Sequence, residues 1–250
     1  MNMTFLIQAR LGSTRLPGKI LKPFFQNQSI LDLLIEKLKQ IAGTDIILAT
    51  STSENDNPLE EFAKQRGVDF FRGSETDVLQ RFIGAAEHFG ANRLIRICSD
   101  NPFLELKSIQ ELINYVTSNP EFDYVSFNVG GTPSIKTHYG FWTEYVTLDA
   151  LRKVASLTNE ALYHEHVTNY IYTHPEQFKI KLLNTPEELI RHSDIRLTID
   201  TETDFKNAQA VYADLVQTTA YPTIADIIGY LDIHPQYYQT MKQEISKNSK

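Results

Sequence analysis

Hydrophobic residues in the first half of the chain follow two alternating periods. Short, nearly continuous apolar runs predict buried strands, and the segments between them repeat their apolar residues every three to four positions, as one helix face does. The predicted strands are residues 3–8, 45–50, 68–71 and 93–98, and the predicted helices are residues 30–40, a segment opening at Asn57-Pro58, and residues 77–88. This alternation requires crossover connections, so we expect an α/β fold with a mostly parallel sheet flanked by helices.

The alternation becomes less regular after residue 120. A strand is predicted at residues 124–128, and a turn cluster containing Gly130, Gly131 and Pro133 follows it. We therefore expect residues 1–250 to form one domain with a smaller inserted lobe at about 129–185. Further predicted elements are helices at 148–155, 161–172, 201–215 and 224–231, strands at 179–183 and 195–199, and a frayed polar end at 242–250.

The composition is that of an ordinary globular protein with a buried core. The 250 residues are 42% hydrophobic and 22% charged. The single cysteine, Cys98, excludes an internal disulfide and a cysteine-based zinc cluster, and it favours a reducing compartment. No apolar run approaches the roughly 18 residues of a membrane span, and the N-terminus lacks the pattern of a secretory signal. We expect a cytoplasmic protein with no membrane partner.

Charge is distributed unevenly along the sequence. Twenty-four Lys and Arg against 31 Asp and Glu give a net charge of −7, which argues against nucleic acid as a partner. However, Arg10, Arg15, Lys19 and Lys22 lie close together, and the first acidic residue is Asp32. A small anion therefore remains a possible ligand for this segment.

The segment of residues 8–20 (QARLGSTRLPGKI) directly follows the first predicted strand, where open α/β sheets bind ligands. It combines glycines for close backbone approach, hydroxyl donors and basic side chains. These residues are Gly12, Gly18, Ser13, Thr14, Arg10, Arg15 and Lys19. The spacing is not that of a Walker A loop, and no G-x-G-x-x-G is present. The pattern favours an anion cradle, with a solvated surface loop as the alternative.

Two acids separated by one hundred positions follow predicted strands. Asp100 comes after the strand at 93–98, and Asp200 comes after the strand predicted at 195–199. Both are expected at the crevice beside the basic loop, where carboxylates and substrate phosphates together suit Mg²⁺. Helix capping is the alternative for each. Thr201 and Asp204 match a capping box of their own, which frees Asp200 for a metal.

Six segments, in order, resemble the cytidylyltransferases that activate sugars with CTP, including those for 3-deoxy-manno-octulosonate. The likeness is greatest to the branch named after spore coat polysaccharide biosynthesis protein F. The segments are QARLGSTRLPGKIL, ATSTSENDNPLEEFA, FRGSETDVLQRF, RLIRICSDNPFL, HEHVTNYIY and RLTIDTETDF, and the likeness covers most of residues 3–230. It implies a glycosyltransferase-A-like fold that binds CTP and Mg²⁺, with an inserted lobe for sugar binding and dimerisation.

Site residues follow from the resemblance position by position. It implies catalytic roles for Arg10 and Lys19 and magnesium binding by Asp100 and Asp200. The nucleotide-binding residues that it implies are Ala9, Arg10, Gly12, Ser13, Arg15, Lys19, Gly73 and Ser74. Ser99 stands where the family usually carries glycine, which could alter nucleotide binding if the backbone must approach closely.

Two further segments carry weaker signals. Gly73 and Ser74 could present backbone groups to the base, but Ser74 and Asp77 equally match a capping box, and Arg81 is expected to be a structural ion-pair partner. The triplet His164-Glu165-His166 does not fit a zinc helix, whose histidines are spaced i and i+4. The resemblance places Glu144 and His166 near the acceptor or the dimer contact.

The function predicted from the sequence is Mg²⁺-dependent transfer of CMP from CTP to a sugar or sugar acid, with release of pyrophosphate, by a homodimer. A phosphorylated sugar or alditol as acceptor would give a CDP product instead. A glycosyltransferase of the same fold would be expected to carry a D-x-D motif in the middle of its sequence, which is absent. A non-catalytic scaffold is a further alternative, against which the joint presence of Lys19, Asp100 and Asp200 argues.

Overall fold

The computed structural model describes residues 3–247, and its strands and helices are numbered here in sequence order. The strands are β1 (Met3–Gln8), β2 (Pro23–Phe25), β3 (Gln28–Ser29), β4 (Thr44–Ser51), β5 (Asp69–Gly73), β6 (Arg93–Cys98), β7 (Tyr124–Val129), β8 (Thr132–Pro133), β9 (Glu144–Thr147) and β10 (Ile180–Asn184). The helices are α1 (Ile30–Leu38), α2 (Asn57–Arg66), α3 (Val78–His88), α4 (Leu106–Ser118), α5 (Leu148–Leu157), α6 (Ala161–Glu165), α7 (Asn169–Thr173), α8 (Glu202–Leu215), α9 (Ile224–Asp232) and α10 (Pro235–Lys247).

The central sheet has the strand order β10-β7-β9-β6-β1-β4-β5, and β8 pairs with β7 at its end. The pairs β1–β4, β1–β6, β4–β5 and β7–β10 are parallel, whereas β9 runs antiparallel to both β6 and β7. The predicted α/β class with a mostly parallel sheet is therefore confirmed.

The two faces of the sheet are covered by different helices, as the alternation of side chains along each strand requires. Phe5 and Ile7 of β1 pack into one cluster with residues of α1, α4 and α8. Leu6, between them, packs into a second cluster with residues of α3 and α5. Phe5, Leu6 and Ile7 are all fully buried. A strand covered by helices on both faces needs apolar residues at every position, which explains the continuous apolar run of β1.

Pairing in register brings the carboxyl ends of three strands together. Gln8 at the end of β1 lies opposite Ala49 of β4 on one side and Cys98 at the end of β6 on the other. The loops that follow β1 and β6 consequently leave the sheet side by side. This arrangement is what positions the candidate site.

The strand predicted at 195–199 is wrong. Ile195, Leu197 and Ile199 are buried as the alternation required, but they form no ladder with another strand. Leu197 N donates to His138 O (2.9 Å) and Ile199 N donates to Asp100 O (3.1 Å), which are isolated bonds to two different loops. Burial alone therefore produced a strand-like pattern in a segment without strand pairing.

Two helix predictions also differ from the structure. The helix predicted at 161–172 is interrupted between Glu165 and Asn169, and it forms the two short helices α6 and α7. The end predicted to fray is helical as far as Lys247, because Met241 and Glu244 of α10 are buried. Residues 248–250 of that prediction lie outside the described residues.

Residues 129–185, predicted as an inserted lobe, contribute β9 and β10 to the central sheet in addition to α5, α6 and α7. Their role in sugar binding and dimerisation stays a prediction. Within residues 3–247, no helix has both the length and the apolar character needed to cross a membrane.

Candidate active site

The basic loop after β1 is held by its apolar residues and its backbone. Leu16 and Ile20 are 4% and 1% exposed and anchor the loop in the core. Gly18 adopts a φ of +67°, which favours glycine, and its N–H donates to Leu11 O at 2.9 Å. Leu11 N in turn donates to Asp56 Oδ1 at 2.7 Å. The loop therefore has a defined backbone although Arg10 and Arg15 are exposed.

Lys19 joins the loop to both predicted metal ligands. Its Nζ atom lies 2.9 Å from Asp100 Oδ2 and 3.6 Å from Asp200 Oδ1. It also donates a hydrogen bond to the carbonyl oxygen of Ile199. The residue is only 9% exposed, whereas the two carboxylates remain partly accessible. The structure thus brings together three residues that lie up to 181 positions apart in the sequence (19 to 200).

Asp200 is surrounded by basic groups. Arg15 lies 3.2 Å from its Oδ1 atom, and Arg196 lies 3.0 Å from its Oδ2 atom. Burial opposes ionisation of this carboxyl, but the charges of Lys19, Arg15 and Arg196 outweigh it and hold the pKa of Asp200 below its ordinary value. Asp200 is therefore an anion at neutral pH, ready to contact a cation.

Arg196 supports Asp200 from the buried side of the site, and the sequence pattern did not predict a role for Arg196. Its guanidinium donates to both oxygens of Asp204, at 2.8 and 2.9 Å, in a buried bidentate pair. Asp204 Oδ2 also accepts from the backbone N–H groups of Asp200 and Thr201. The predicted capping box of Thr201 and Asp204 is confirmed at the start of α8. The i, i+4 spacing of Arg196 and Asp200 is the local signal for this pair, and the strand predicted at 195–199 hides it.

The donor set at this point fits a small divalent cation. Within residues 3–247, no group of three His, Cys, Asp or Glu side chains is arranged to hold a metal. Asp100 and Asp200 nevertheless face the same ammonium, so a positive charge already lies between the two carboxylates. Two carboxylates with the remaining positions filled by phosphate oxygens and water is the donor set that Mg²⁺ commonly takes.

The remaining loop residues lie around this cluster. Ala9 is buried, and its N–H donates to Ala49 O at 3.2 Å, which continues the sheet pairing past the end of β1. Gly12 is exposed and Ser13 is half-buried. A Cβ atom added at Gly12 would meet no atom within 4 Å, so its surroundings are open. The backbone here is accessible to an incoming ligand.

The short helix α6 lies beside the basic loop. Glu165 Oε1 is 3.4 Å from Arg10 Nη2 in an exposed ion pair. His164 Nδ1 lies 2.7 Å from Asp77 Oδ2, the residue that caps α3. Burial lowers the pKa of His164, but hydrogen bonds to Thr158 O and Asp77, with the Asp77 charge, raise it overall. His166 follows α6 and is exposed, next in sequence to the residue that contacts Arg10.

Gly73 and Ser74 have well-defined backbone partners. Gly73 O accepts from Thr52 N at 2.9 Å, and Ser74 O accepts from Arg81 Nη1 at 2.8 Å. The predicted capping box is confirmed only in part, because Ser74 Oγ accepts from Asp77 N at 3.0 Å but Asp77 rather than Ser74 is the N-cap of α3. Gly73 allows close packing, since an added Cβ would lie 2.9 Å from Arg81 Cγ. Arg81, predicted as an ion-pair partner, instead orients the Ser74 carbonyl from a buried position.

Glu144 lies in a sealed cluster. It is 1% exposed, and Arg96 Nη1 lies 2.9 Å from its Oε2 atom. Tyr124 and Thr168 also donate to its carboxylate. The predicted contact between Glu144 and an acceptor is not favoured by this geometry, because both oxygens are already used inside the protein.

Known proteins are similar to this chain over most of its length. A family model described as cytidylyltransferase matches residues 4–228. The chain is 40% identical over 239 residues to an uncharacterized protein of Methanocaldococcus jannaschii, covering 94% of this chain and 93% of that one. It is 34% identical over 218 residues to the spore coat polysaccharide biosynthesis protein SpsF of Bacillus subtilis, covering 84% and 86%.

A solved structure extends the agreement to three dimensions. A cytidylyltransferase from Leptospira borgpetersenii superposes with a TM-score of 0.82 at 29% identity, covering 96% of this chain and 97% of that one. The predicted glycosyltransferase-A-like nucleotide-binding fold is therefore confirmed.

Proposed function

The chain belongs to the cytidylyltransferase family, a family of nucleotidyltransferases, and we propose that it transfers CMP from CTP to a sugar or sugar acid. The acceptor oxygen attacks the α-phosphorus of CTP, the bond from that phosphorus to the bridging oxygen breaks, and pyrophosphate leaves. The product is a CMP-sugar when the acceptor carries no phosphate. The proposed role is in the biosynthesis of a cell-surface polysaccharide or glycoconjugate.

One observation carries the proposal: Lys19 Nζ reaches Asp100 and Asp200 at the end of the acid-free basic loop. A triphosphate needs positive charge, and a metal that binds phosphates needs carboxylates on its opposite side. The structure supplies both within one crevice at the carboxyl ends of β1 and β6. This combination favours an enzyme over a scaffold that only retains the fold.

The residues of the chain then act by positioning and electrostatics, as is usual in phosphoryl transfer. Arg10, Arg15 and Lys19 bind the triphosphate, and Lys19 donates to the oxygens on which negative charge increases as pyrophosphate leaves. Asp100 and Asp200 hold Mg²⁺, which when bound neutralises charge on the phosphates. Ala9, Gly12, Ser13, Gly73 and Ser74 present backbone and hydroxyl groups to the nucleotide.

The acceptor is proposed to bind beside α6. Glu165 already contacts Arg10, so the segment that follows α6 borders the nucleotide site, and His166 is the side chain proposed to touch the acceptor. Residues 129–185 are proposed to form the sugar-binding and dimerisation region of a cytoplasmic homodimer. Analytical ultracentrifugation of the full chain tests the dimer directly.

Pyrophosphate release is the measurement that tests the activity. The purified full chain is incubated with Mg²⁺ and each of the four ribonucleoside triphosphates, against a panel of keto-deoxy sugar acids, neutral sugars and sugar phosphates. We expect release with CTP and a sugar or sugar acid. Turnover with UTP or GTP but not CTP contradicts the cytidylyl assignment, and turnover only with a phosphorylated acceptor indicates a CDP product.

The metal role is tested with Asp100→Asn, for which Asp149→Asn is the matched control because Asp149 is exposed on α5. We expect Asp100→Asn to need more Mg²⁺ for half-maximal activity, whereas Asp149→Asn keeps the wild-type requirement. An unchanged Mg²⁺ requirement in Asp100→Asn would remove that residue from the metal site.

A further inference from the structure

A lysine lies within the core, on the inward face of α1. Lys37 is 3% exposed, in a helix whose neighbouring core positions are Leu34 and Leu38. Its Nζ atom donates to Pro102 O at 2.9 Å and to Leu104 O at 2.7 Å. Lysine is rarely buried to this extent unless its ammonium has specific partners, and here both partners belong to one loop.

That loop connects β6 to α4 and carries a proposed metal ligand. We refer to residues 99–105 as the Asp100 loop. Beyond Asp100 it is buried as far as Glu105, yet it forms neither helix nor strand. Buried carbonyl groups outside regular structure need other partners, and Lys37 supplies one to each of two carbonyls. These carbonyls lie two and four residues after Asp100.

Both ends of the Asp100 loop have further contacts. Asp100 O accepts from Ile199 N at 3.1 Å, beside the Asp200 carboxylate. At the other end, Glu105 Oε1 accepts from Ile224 N, the first residue of α9, at 2.8 Å. The two bonds from Lys37 fix the middle of the loop between these contacts.

Packing alone does not explain a lysine at this position. An apolar side chain of similar length would fill the space without the free-energy cost of burying an ammonium. The same replacement would leave the carbonyls of Pro102 and Leu104 without a donor. The presence of a lysine at position 37 is therefore explained by its hydrogen bonds to these two carbonyls.

We propose that Lys37 is a positioning residue that holds the Asp100 loop, and with it the Asp100 carboxylate, in the geometry that binds the metal–nucleotide complex. This inference rests on the proposed function, because it deepens the role given there to Asp100. Lys37 contacts the loop backbone and neither the nucleotide-binding residues nor the carboxylate.

The strength of the hydrogen bonds from Lys37 to the Asp100 loop depends on pH. Burial lowers its pKa to about 7, although the nearby charge of Glu105 opposes the shift. Above pH 7 the ammonium becomes an amine, and its charge-assisted hydrogen bonds become weaker neutral ones. Lys37 therefore restrains the Asp100 loop less strongly as the pH rises.

The charged groups around Lys37 come from few elements. Glu105, at the start of α4, is the one that acts on it among the described residues. On α1 itself, Asp32 is paired with Arg66 and Glu36 is exposed, and Lys39, directly after the helix, is also exposed. From α9 the neighbour of Glu105 is the uncharged backbone N–H of Ile224.

The test compares Lys37→Met, Lys37→Arg and wild type, with Lys39→Met as the matched control. Lys39 directly follows the same helix and also donates to one backbone carbonyl, Arg66 O at 2.8 Å, but it is exposed. Binding of Mn²⁺ in the presence of CTP is measured from the electron paramagnetic resonance signal of free Mn²⁺. Amide hydrogen exchange of residues 99–105 and the melting temperature are measured on the same samples.

We expect Lys37→Met to weaken Mn²⁺ binding about tenfold, the usual size of losing a group that orients a metal ligand, and to speed amide exchange in the Asp100 loop. Lys37→Arg, which stays charged, should restore binding to within about threefold of wild type. Lys39→Met should leave both measurements unchanged. A Lys37→Met protein that melts earlier but binds Mn²⁺ as wild type does would overturn the proposal, since its role would then be structural only.

The pH dependence of Mn²⁺ binding tests the proposal without the Lys37→Met variant. Between pH 6.5 and 8.5, the affinity of wild type for Mn²⁺ should fall by about threefold relative to that of Lys37→Arg, because only lysine loses its charge in this range. Parallel pH profiles would contradict the inference even if Lys37→Met does not fold. If wild type binds no Mn²⁺ with CTP, the proposed function fails, whereas amide exchange still reports whether Lys37 holds the loop.

Discussion

Two ion clusters at the sheet each combine basic and acidic side chains, with opposite results. The open cluster consists of Lys19, Asp100 and Asp200, and the sealed cluster consists of Arg96 and Glu144. In the open cluster the side chains of Asp100 and Asp200 stay 26–30% exposed and share one ammonium. In the sealed cluster the carboxylate is 2% exposed.

Burial of the partners explains the difference further, since all partners of Glu144 are buried whereas Arg15, a partner of Asp200, is exposed. Glu144 accepts from Arg96, Tyr124 and Thr168, and the second arm of Arg96 donates to Gln8 Oε1 at 3.1 Å. Burial raises the pKa of Tyr124, and the neighbouring Glu144 carboxylate adds to that effect, so the phenol stays a donor. A cluster sealed from solvent stabilises the fold, whereas one whose carboxylates remain partly exposed can bind a substrate or metal.

The largest effect is expected from Glu144→Ala. Removing one partner of a buried ion pair leaves Arg96 uncompensated, which costs about 3–5 kcal/mol of unfolding free energy. Turnover per folded molecule should stay close to wild type, because both carboxylate oxygens of Glu144 are bonded within the protein. Urea unfolding and active-site titration measure the two quantities, with Glu121→Ala on an exposed residue as control. A stable variant with lost turnover would place Glu144 in the acceptor site after all.

Lys19→Met should show the opposite behaviour. Loss of a preorganised positive charge at the reacting phosphates lowers kcat by about 10²–10³. The fold should remain, because the neighbouring carboxylates can take up water at their exposed oxygens. Steady-state pyrophosphate release provides the measurement, and Lys206→Met, on the exposed side of α8, is the matched control. Turnover within twofold of wild type would show that Lys19 has a structural role only.

The pH dependence of stability sharpens the comparison at Asp200. Its pKa is held below the ordinary value despite burial, by Lys19, Arg15 and Arg196. Its contribution is therefore fully present above the ordinary carboxyl pKa of about 4 and is lost as the pH falls through the lowered value. Thermal unfolding of Asp200→Asn should be earlier than wild type at pH 7, with the gap closing in acid. A constant gap from pH 7 to pH 3 would contradict this.

The smallest effect is expected where a pair is exposed. Glu165→Ala removes the contact with Arg10, whose side chain is 41% exposed, and should change the unfolding free energy by less than about 0.5 kcal/mol. CTP should bind no more weakly, because Arg10 loses a competing carboxylate. Isothermal titration with CTP and Mg²⁺ is the check, and weaker binding would mean that Glu165 positions Arg10 for the nucleotide.

Local pattern was enough to predict most of the regular elements. β1 and β6 have the predicted bounds. α1, α3 and α8 begin at or within one residue of the predicted start, because each is preceded by a Ser, Asp or Thr that caps its N-terminus. The strand predicted at 195–199 is wrong for a physical reason. The apolar residues of this segment are there because they are buried, and burial does not require a partner strand. The break between α6 and α7 was likewise invisible in the periodic pattern.

The candidate site divides in the same way. The amino-acid sequence by itself determined the basic loop, the two acids and the family, because each is a property of residue type and order. Only the tertiary structure decided that Lys19 lies between Asp100 and Asp200, that Arg196 supports Asp200, that Lys37 holds the Asp100 loop and that Glu144 is sealed with Arg96. Apart from Arg196 with Asp200, these contacts join residues far apart in the sequence. The parallel register of β1 with β6 brings the basic loop beside Asp100, and the antiparallel register of β6 with β9 places Arg96 opposite Glu144.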